Sequence, residues 1–510
     1  MTAPQDQQEV IAFLSRPESY GVAGPVERVD THIAVVFLAG DRAWKLKRAV
    51  HYPYLDFSTA EKRRAVCEEE LRLNCRTAPD LYLAVRSVNR QADGTLGFEP
   101  GEPVDWLVEM RRFEADALLE AVAEAGRLDA ALVRQLADEI ADFHALAEVV
   151  RGGSGAARMR AIVEGNRASM AARADILPPD DCELLSRRSL DALERIAPLL
   201  DARAENGFVR HCHGDLHLAN ICIWKGRPTL FDCLEFDSEL ATIDVLYDTA
   251  FLVMDMWERG LHAQASLLFN RYCDMAGESE GVAAMPLFLS VRAAIRAHVS
   301  ATAAAAQADA DHAAQKRRQA GEYLAAALAF LDQPAPCLIA IGGYSGTGKS
   351  SLAGALAPDL GGAPGARWLR TDVLRKRMAG RLPEEELPAE SYTPDQSALV
   401  YAQLEREALA MLSAGRSVIL DGVFSKPAER ARVAALAKEA GVPFTGLWLE
   451  APADILMARV RGRSGDASDA TAEVVERQLR GDPGDLSAWR RIDASPALEA
   501  VLAAARKAIG

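Results

Sequence analysis

The segment His213-Gly214-Asp215-Leu216-His217-Leu218-Ala219-Asn220 is followed, after a short apolar run, by Phe231-Asp232. These residue types at this spacing suit phosphoryl transfer. That reaction needs a group to orient or accept the acceptor proton, oxygen ligands for metal ions on the phosphates, and a cation on the nucleotide. Asp215 is placed to handle the acceptor proton. Asn220 and Asp232 offer the oxygen donors that a hard cation such as Mg²⁺ takes. The cation should lie upstream on a strand, and Lys45 and Lys47 are both candidates. Strand alternation puts them on one face. Glu68, Glu69 and Glu70 sit on the helix that should supply its partner, and only one can point inward. A lone His-x-Asp is common and means little; the whole set carries the reading.

A second constellation is Gly343-Tyr344-Ser345-Gly346-Thr347-Gly348-Lys349-Ser350, preceded by an apolar run and followed by a helical pattern from Leu352. That context makes it a phosphate-binding loop of the Walker A type. Glycines let backbone N–H groups turn in around a phosphate, and the helix N-terminus adds a favourable dipole. Gly343, Ser345, Gly346, Thr347, Gly348, Lys349, Ser350 and Ser351 are the expected nucleotide contacts. Lys349 would reach the β- and γ-phosphates, and Ser350 would bind Mg²⁺. Asp421 ends the apolar run Val418-Ile419-Leu420, a second metal-side position, although acids at strand ends are ordinary. Asp372 stands where an acceptor-side base belongs, with Arg375 one turn on. Arg459, Arg461 and Arg463 cluster after a helix. Such arginines can close over phosphates, or simply be a solvated helix end.

The elements that must position these groups are legible. Ile33 to Leu38 and Ala43 to Lys47 read as two strands joined at Ala39-Gly40-Asp41. Ser58-Thr59 caps a helix running to about Arg76. Strand-like runs return at Leu81 to Val88 and Val104 to Met110. From Asp116 to about Asp332 the pattern is helical, interrupted between Phe208 and Phe236. Asp332-Gln333-Pro334-Ala335-Pro336 reads as a linker, because two prolines stop a helix and resist a central strand. Beyond it, strands at Cys337 to Ile341, Trp368-Leu369, Ser417 to Leu420 and Phe444 to Leu449 alternate with helices, which implies a parallel sheet.

Bulk properties set limits. The chain has 510 residues, 49% hydrophobic and 26% charged, with a formal net charge of -15. That acidity disfavours a chain-wide surface for long nucleic acid, which needs clustered Lys and Arg. No signal peptide is visible at MTAPQDQQEV, and no stretch approaches about 20 apolar residues without charges. The eight cysteines fit no metal-binding spacing. They read as reduced thiols, and the expected location is cytoplasmic. The acids Glu235, Asp237, Glu239, Asp244 and Asp248 can face a cationic acceptor or form a solvated, salt-bridged surface; the second is the simpler reading.

His213 to Asn220, followed by Phe231-Asp232-Cys233-Leu234-Glu235-Phe236-Asp237, resembles the aminoglycoside phosphotransferase and choline kinase group. Arg210-His211, Asp244, Asp248, Ala43 to Lys47 and Cys67 to Asn74 match the same pattern. The resemblance covers about residues 20 to 330. It implies Asp215 as base, Asn220 and Asp232 as metal ligands, Lys45 on the phosphates with Glu70 as its partner, and a hinge at Val108-Glu109-Met110 that meets adenine through backbone groups. It also casts Asp248 as a structural support of the catalytic loop. A Gly-rich loop between the first strands is missing. Residues 337 to 510 resemble small P-loop kinases of the adenylate-kinase, gluconate-kinase, zeta-toxin and chloramphenicol-phosphotransferase types, with Arg459-x-x-x-Arg463 and Ala467 to Ala470 as a lid.

The expected fold is thus an α+β protein-kinase-like, bilobal N-terminal domain (1–332; small lobe about 20–112, helical lobe about 113–332), a linker at 333–336, and an α/β P-loop NTPase domain (337–510) with a parallel sheet. The expected activity is that of a bifunctional ATP-dependent phosphotransferase. ATP and Mg²⁺ are the implied cofactors, and a small-molecule alcohol is the acceptor. The alternative makes the P-loop half a polynucleotide or nucleoside kinase, or a regulatory ATP-binding module. Neither acceptor identity nor oligomeric state is readable.

Overall fold

The computed structural model describes residues 6–52, 55–307, 309–462 and 467–510. Two compact units emerge, Met1–Arg151 with Gly207–Asp248, and Gly152–Asn206 with Thr249–Gly510.

In the first unit six antiparallel strands form one sheet in the order β1 (Glu27–Asp30), β2 (Ala34–Ala39), β3 (Arg42–Lys47), β6 (Glu102–Arg111), β4 (Tyr82–Arg90), β5 (Leu96–Gly97). Alternation along β3 decides what each face carries. Leu46 joins Val35 and Phe37 in a cluster with Val10 and Leu14 of helix α1 (Gln8–Leu14). Ala43 joins Val108 and Met110 on the other face, against Cys67 of helix α2 (Ala60–Asn74). Lys45 and Lys47 therefore project towards α2. The Thr59 side chain caps α2 by accepting from the Lys62 N–H at 3.4 Å. This is the small lobe expected from the sequence, a sheet with one long helix across it. Its first strand, Glu27–Asp30, is exposed along its whole length, which removes the apolar signal a strand normally gives.

The interruption expected between 208 and 236 is a pair of hairpin-like ladders. Strand β7 (Val209–His211) pairs with β10 (Thr242–Asp244), and β8 (Ile221–Trp224) pairs with β9 (Arg227–Leu230). His213 to Asn220 forms the connection between β7 and β8.

The second unit contains the helices Gly155–Ala171, Pro179–Glu205, α3 (His262–Ala276), Met285–Ala306 and Ala310–Phe330, together with a five-stranded parallel sheet. Its order is β12 (Arg367–Arg370), β13 (Val418–Asp421), β11 (Leu338–Gly343), β14 (Phe444–Glu450), β15 (Arg490–Asp493). Strand β11 is central and fully buried, as a strand covered on both faces must be. The last strand, Arg490–Asp493, has one buried residue in four, so no apolar run announces it. The Pro-marked segment after Asp332 is coil, but Gln333 is not loose. Its amide donates to Phe330 O at 2.7 Å and its carbonyl accepts from Arg416 Nη1 at 2.6 Å.

Glu280–Ala306 contains a window long and apolar enough to cross a membrane by composition, and 67% of that window is buried inside the protein. Arg292 and Arg296 interrupt it, and Arg292 stacks on Phe251 at 4.8 Å. It packs as a core helix.

An edge strand needs cover, since its outer N–H and C=O groups are otherwise unpaired. For β12 that cover comes from Asn270 and from Arg367 itself, whose Nη1 donates to Trp368 O at 2.8 Å. Asn270 of α3 accepts from Trp368 N at 2.7 Å and donates to Ala366 O at 3.2 Å, imitating a neighbouring strand. Its carbonyl also accepts from Arg367 Nη1 at 2.9 Å, and Arg367 pairs with Asp274 one turn along α3.

Candidate active sites

In the first unit the phosphate-side cation and the metal-side acid meet. Lys45 Nζ lies 2.8 Å from Glu70 Oε1 and 2.5 Å from Asp232 Oδ1. Glu70 is the inward glutamate. Glu68 pairs with Arg64 and Glu69 with Arg72 along the exposed side of the same helix. Burial works against the Lys45 ammonium, but Asp232 and Glu70 outweigh it and hold its pKa above the ordinary lysine range. Burial works against Glu70 too, and Lys45 and Lys47 hold that carboxylate below its ordinary range.

Asp215 keeps its side chain 44% exposed, open to an incoming group. Asn220 Nδ2 donates to Asp215 O at 2.9 Å and to Asp215 Oδ2 at 3.0 Å. The amide is thereby oriented with its carbonyl oxygen turned away from Asp215. Asp232 sits at φ +61°, a conformation a non-glycine residue holds only when its surroundings enforce it. Two hydrogen bonds do so: Asp232 N donates to Tyr82 Oη at 3.2 Å, and Cys233 N donates to Asn74 Oδ1 at 2.9 Å.

The loop itself hangs on Asp248, whose two oxygens accept from His213 N at 3.0 Å and Gly214 N at 2.9 Å. His144 Nε2 lies 3.1 Å from the same carboxylate. Gly214 has φ +83°, and a Cβ there would meet Leu234 Cβ at 2.9 Å. His144, Cys212 and Asp248 lie within 4.8 Å of one another. Because both Asp248 oxygens already serve backbone N–H groups, the trio reads as a hydrogen-bonded support. The acids after Asp232 do not form one solvated face: Glu239 is exposed and Asp237 half-buried. Asp244 and Asp248 are buried, Asp244 accepts from Leu246 N at 2.8 Å, and Glu235 pairs with Lys47.

Met110 needs a correction. Strand β6 is laddered on both edges at this point, with Met110 opposite Ala43 on one side and Tyr82 on the other. Its backbone groups, like those of Val108 and Glu109, are taken by the sheet and are not open to an adenine. The chain leaves the ladder only after Arg111.

In the second unit the phosphate loop joins β11 to helix α4 (Lys349–Leu356). Gly346 has φ +86°, and a Cβ there would meet Leu456 O at 2.7 Å, so only glycine fits. Ser350 Oγ donates to Asp421 Oδ2 at 2.7 Å, which joins the two expected metal-side groups. Arg370 reaches both, with Nη2 3.3 Å from Ser350 Oγ and Nε 3.7 Å from Asp421 Oδ2. Lys349 Nζ donates to Tyr344 O at 3.1 Å. A cavity of about 1210 Å³ opens over this loop, lined among others by Lys349, Asp372, Arg375, Tyr392, Asp421 and Arg459. Asp372 and Arg375 lie on helix α5 (Thr371–Met378), three residues apart and so on one face. Burial lifts the Asp372 carboxyl above its ordinary range; Arg370 opposes that and Asp421 adds to it.

The chain is 31% identical over 474 residues to the uncharacterized protein Rv2004c of Mycobacterium tuberculosis (strain ATCC 25618 / H37Rv), covering 91% of each chain. The chain belongs to the family of that mycobacterial protein. A Mycobacterium bovis member, Mb2027c, matches with the same identity and coverage. Across this chain, residues 338–481 match the family described as AAA domain (AAA_33). An adenylyl-sulfate kinase of Myxococcus xanthus is 30% identical over 117 residues, covering 23% of this chain and 59% of its own. Among solved structures, a choline/ethanolamine kinase family protein from Mesorhizobium loti covers 63% of this chain and 98% of its own at 15% identity and TM-score 0.38. A gluconokinase from Sinorhizobium meliloti 1021 covers 34% of this chain and 91% of its own at 21% identity and TM-score 0.26.

In this family member, Arg459 is fixed at the cavity wall. Its guanidinium donates to Ala494 O at 2.8 Å and Ser495 O at 3.3 Å, so it is held in place rather than poised to swing. Arg463 lies outside the described residues. Gln478 at this site carried no sequence signal of its own, and Asp469 was legible only as part of the expected lid Ala467 to Ala470. Gln478 Oε1 accepts from Ser345 N at 2.8 Å in the phosphate loop. Asp469 accepts from Tyr392 Oη at 2.5 Å and pairs with Lys376 at 2.8 Å. Each is an unremarkable residue type whose partner is distant in sequence.

Proposed function

We propose that the chain is a bifunctional ATP-dependent phosphotransferase whose two modules each transfer the γ-phosphoryl group of ATP to a hydroxyl of a small molecule. One observation carries the reading: two separate sets of phosphate-handling groups, Lys45-Glu70-Asp232-Asn220-Asp215 and Lys349-Ser350-Asp421-Asp372, each gathered in its own unit.

In the first module Asp215 orients the acceptor hydroxyl and takes its proton, and Lys45 meets the phosphates. In the second, the amides of the glycine loop and Lys349 hold the phosphates, Asp372 takes the acceptor proton, and Arg459 walls the nucleotide side. The donor sets fit Mg²⁺: an amide and a carboxylate oxygen at Asn220 and Asp232, a hydroxyl and a carboxylate at Ser350 and Asp421. Bound there, the metal neutralises charge on the phosphate oxygens.

The similarity to an adenylyl-sulfate kinase over part of the P-loop half favours one variant of this reading, in which that module accepts a nucleotide-like alcohol.

Titration should give two ATP sites per chain, and Lys349→Ala should remove one of them; a single site in the unsubstituted chain contradicts the proposal. An acceptor screen that reads ADP release and product mass, with sugars, aminoglycosides, nucleosides and amino alcohols, then identifies what each site phosphorylates.

The second module should also show a displaced acid limb. A base must be deprotonated to work, and Asp372 is held above its ordinary range. Its kcat/KM should therefore rise with pH through a pKa above the ~4 of an ordinary aspartate. Arg370→Leu removes the main opposing charge and should push that limb higher still. A limb that stays put in the variant removes Asp372 from the role.

A further inference from the structure

Helix α5 ends on three consecutive cations, Arg375, Lys376 and Arg377. Two of them have acids of their own: Lys376 pairs with Asp469 at 2.8 Å, and Arg377 pairs with Glu407. Arg375 does not. It is 9% exposed, and among the described residues no carboxylate lies within ion-pair distance of it. Its Nη1 donates to Ser391 O at 2.7 Å and its Nη2 to Ser397 Oγ at 3.4 Å, both neutral acceptors. Its Nε has no hydrogen-bond partner. The guanidinium lies over the Tyr392 ring at 4.9 Å, and Arg375 lines the cavity above the phosphate loop. The acids in this part of the cavity are taken. Asp469 accepts from Lys376, from Tyr392 Oη and from Leu387 N at 3.0 Å, and the cation that chiefly offsets Asp372 is Arg370.

A buried charge is costly unless a counter-charge meets it. A brace between α5 and the segment 391–397 needs donors but no charge. What a guanidinium adds to a neutral donor is a planar, charged fork that matches carboxylate and phosphate oxygens. The counter-charge that the protein does not supply is left to a ligand. Asp372 and Arg375 share one face of α5, so a molecule with its hydroxyl at Asp372 has its other end within reach of Arg375. The cavity, about 1210 Å³, exceeds the ~300–1,000 Å³ of a single-ligand pocket and has room for ATP and a second molecule.

We propose that the alcohol phosphorylated by the P-loop module itself carries an anionic group, a carboxylate or a phosphate, and that Arg375 binds it. The inference rests on the transfer reading above and names its acceptor class. The acceptor oxygen bonds to the γ-phosphorus, the bond from that phosphorus to the β–γ bridging oxygen breaks, ADP leaves, and the hydroxyl proton goes to Asp372. Arg375 takes no part in the proton transfer. It fixes the far end of the acceptor.

The test uses the full chain carrying Asp215→Asn, so that transfer reads the P-loop module. Matched probes are glycerate with glycerol, a sugar phosphate with its sugar, and a nucleoside monophosphate with its nucleoside. The alcohols turned over should be charged members, with kcat/KM at least about tenfold above their neutral partners, the scale of one hydrogen-bonded charge; the carboxylate and phosphate arms show which anion is taken. Arg375→Gln should raise the acceptor KM by about tenfold or more and leave the KM for ATP within about twofold, and Arg375→Lys should fall between. Calorimetric titration of the same probes, with a non-hydrolysable ATP analogue present, reads binding without chemistry. Melting temperatures report folding, and if Arg375→Gln does not fold, the charged and neutral probes on the parent chain decide. Equal or better use of neutral alcohols, no binding of any charged probe, or an anion preference that survives in a folded Arg375→Gln overturns the proposal. Charged probes that bind through Arg375 but are never phosphorylated would keep the anion site and overturn the transfer reading of this module instead.

Discussion

Asp215→Asn should cut transfer by the first module by about 10²–10⁴-fold, the range associated with losing a positioned proton acceptor, while MgATP still binds and the fold survives. The geometry explains why the loss should be so selective. Asn220 Nδ2 donates both to the Asp215 backbone carbonyl and to its side-chain oxygen. An asparagine at 215 keeps the first bond and still offers a carbonyl to the second. The loop is suspended from Asp248 through the N–H groups of His213 and Gly214, and neither depends on the side chain at 215. Lys45 is held by Glu70 and Asp232, and neither of these pairs involves Asp215.

Asp248→Asn makes the contrast. An asparagine can accept only one of the two backbone N–H groups and presents its own N–H₂ to the other, so melting temperature should fall together with activity. With Lys349→Ala silencing the second module, ADP release under single-turnover conditions and a melting curve separate the two outcomes. Transfer by Asp215→Asn close to the unsubstituted level would remove Asp215 from the chemistry.

The pattern of what the sequence discloses follows from how each feature is encoded. Lys45 and Lys47 could be placed on one face because strand alternation is strictly local, and the structure puts both on Glu70. Choosing among Glu68, Glu69 and Glu70 was out of reach, since it depends on how α2 is rotated against β3; Arg64 and Arg72 claim the other two only once the helix exists. Glu235 reads as a surface acid because its partner lies far upstream. Among the missed strands, Glu27–Asp30 and Arg490–Asp493 are largely exposed, so periodicity had nothing to detect, while Leu96–Gly97 and Thr242–Asp244 are too short to show a period. The backbone of Met110 was misjudged for a related reason. Whether a strand residue has free groups depends on both of its neighbours, and the second neighbour of β6, Tyr82–Arg90, is contributed by register rather than by composition. The strand–loop–helix placement of the glycine motif was legible because its glycines answer to local backbone geometry.

Arg367→Ala should destabilise the second unit by about 3–5 kcal/mol, the cost of breaking a buried charge pair by removing one member. Arg367 is 1% exposed, pairs with Asp274 and donates to Asn270 Oδ1 at 2.9 Å. Its loss strands a carboxylate and loosens the other side chain that covers the β12 edge. Asp274→Ala should be comparably damaging. The double replacement Arg367→Leu with Asp274→Leu should cost less than either single change, because no unpaired charge remains. Chemical denaturation of the full chain, followed by tryptophan fluorescence, reads the transition; Trp368 sits beside the substitution and Trp448 and Trp489 lie in the same sheet region. The effect should reach the second site as well. Strand β12 runs directly into Arg370 and Asp372, so a loosened edge should raise the acceptor KM of the P-loop module more than its KM for ATP, which rests on β11 and the glycine loop. Residues 337–510 expressed alone, without Asn270, Asp274 and the rest of α3, should therefore be less stable than in the intact chain. If the isolated segment matches the full chain in its unfolding midpoint, α3 is a neighbour of the P-loop sheet and not part of its support.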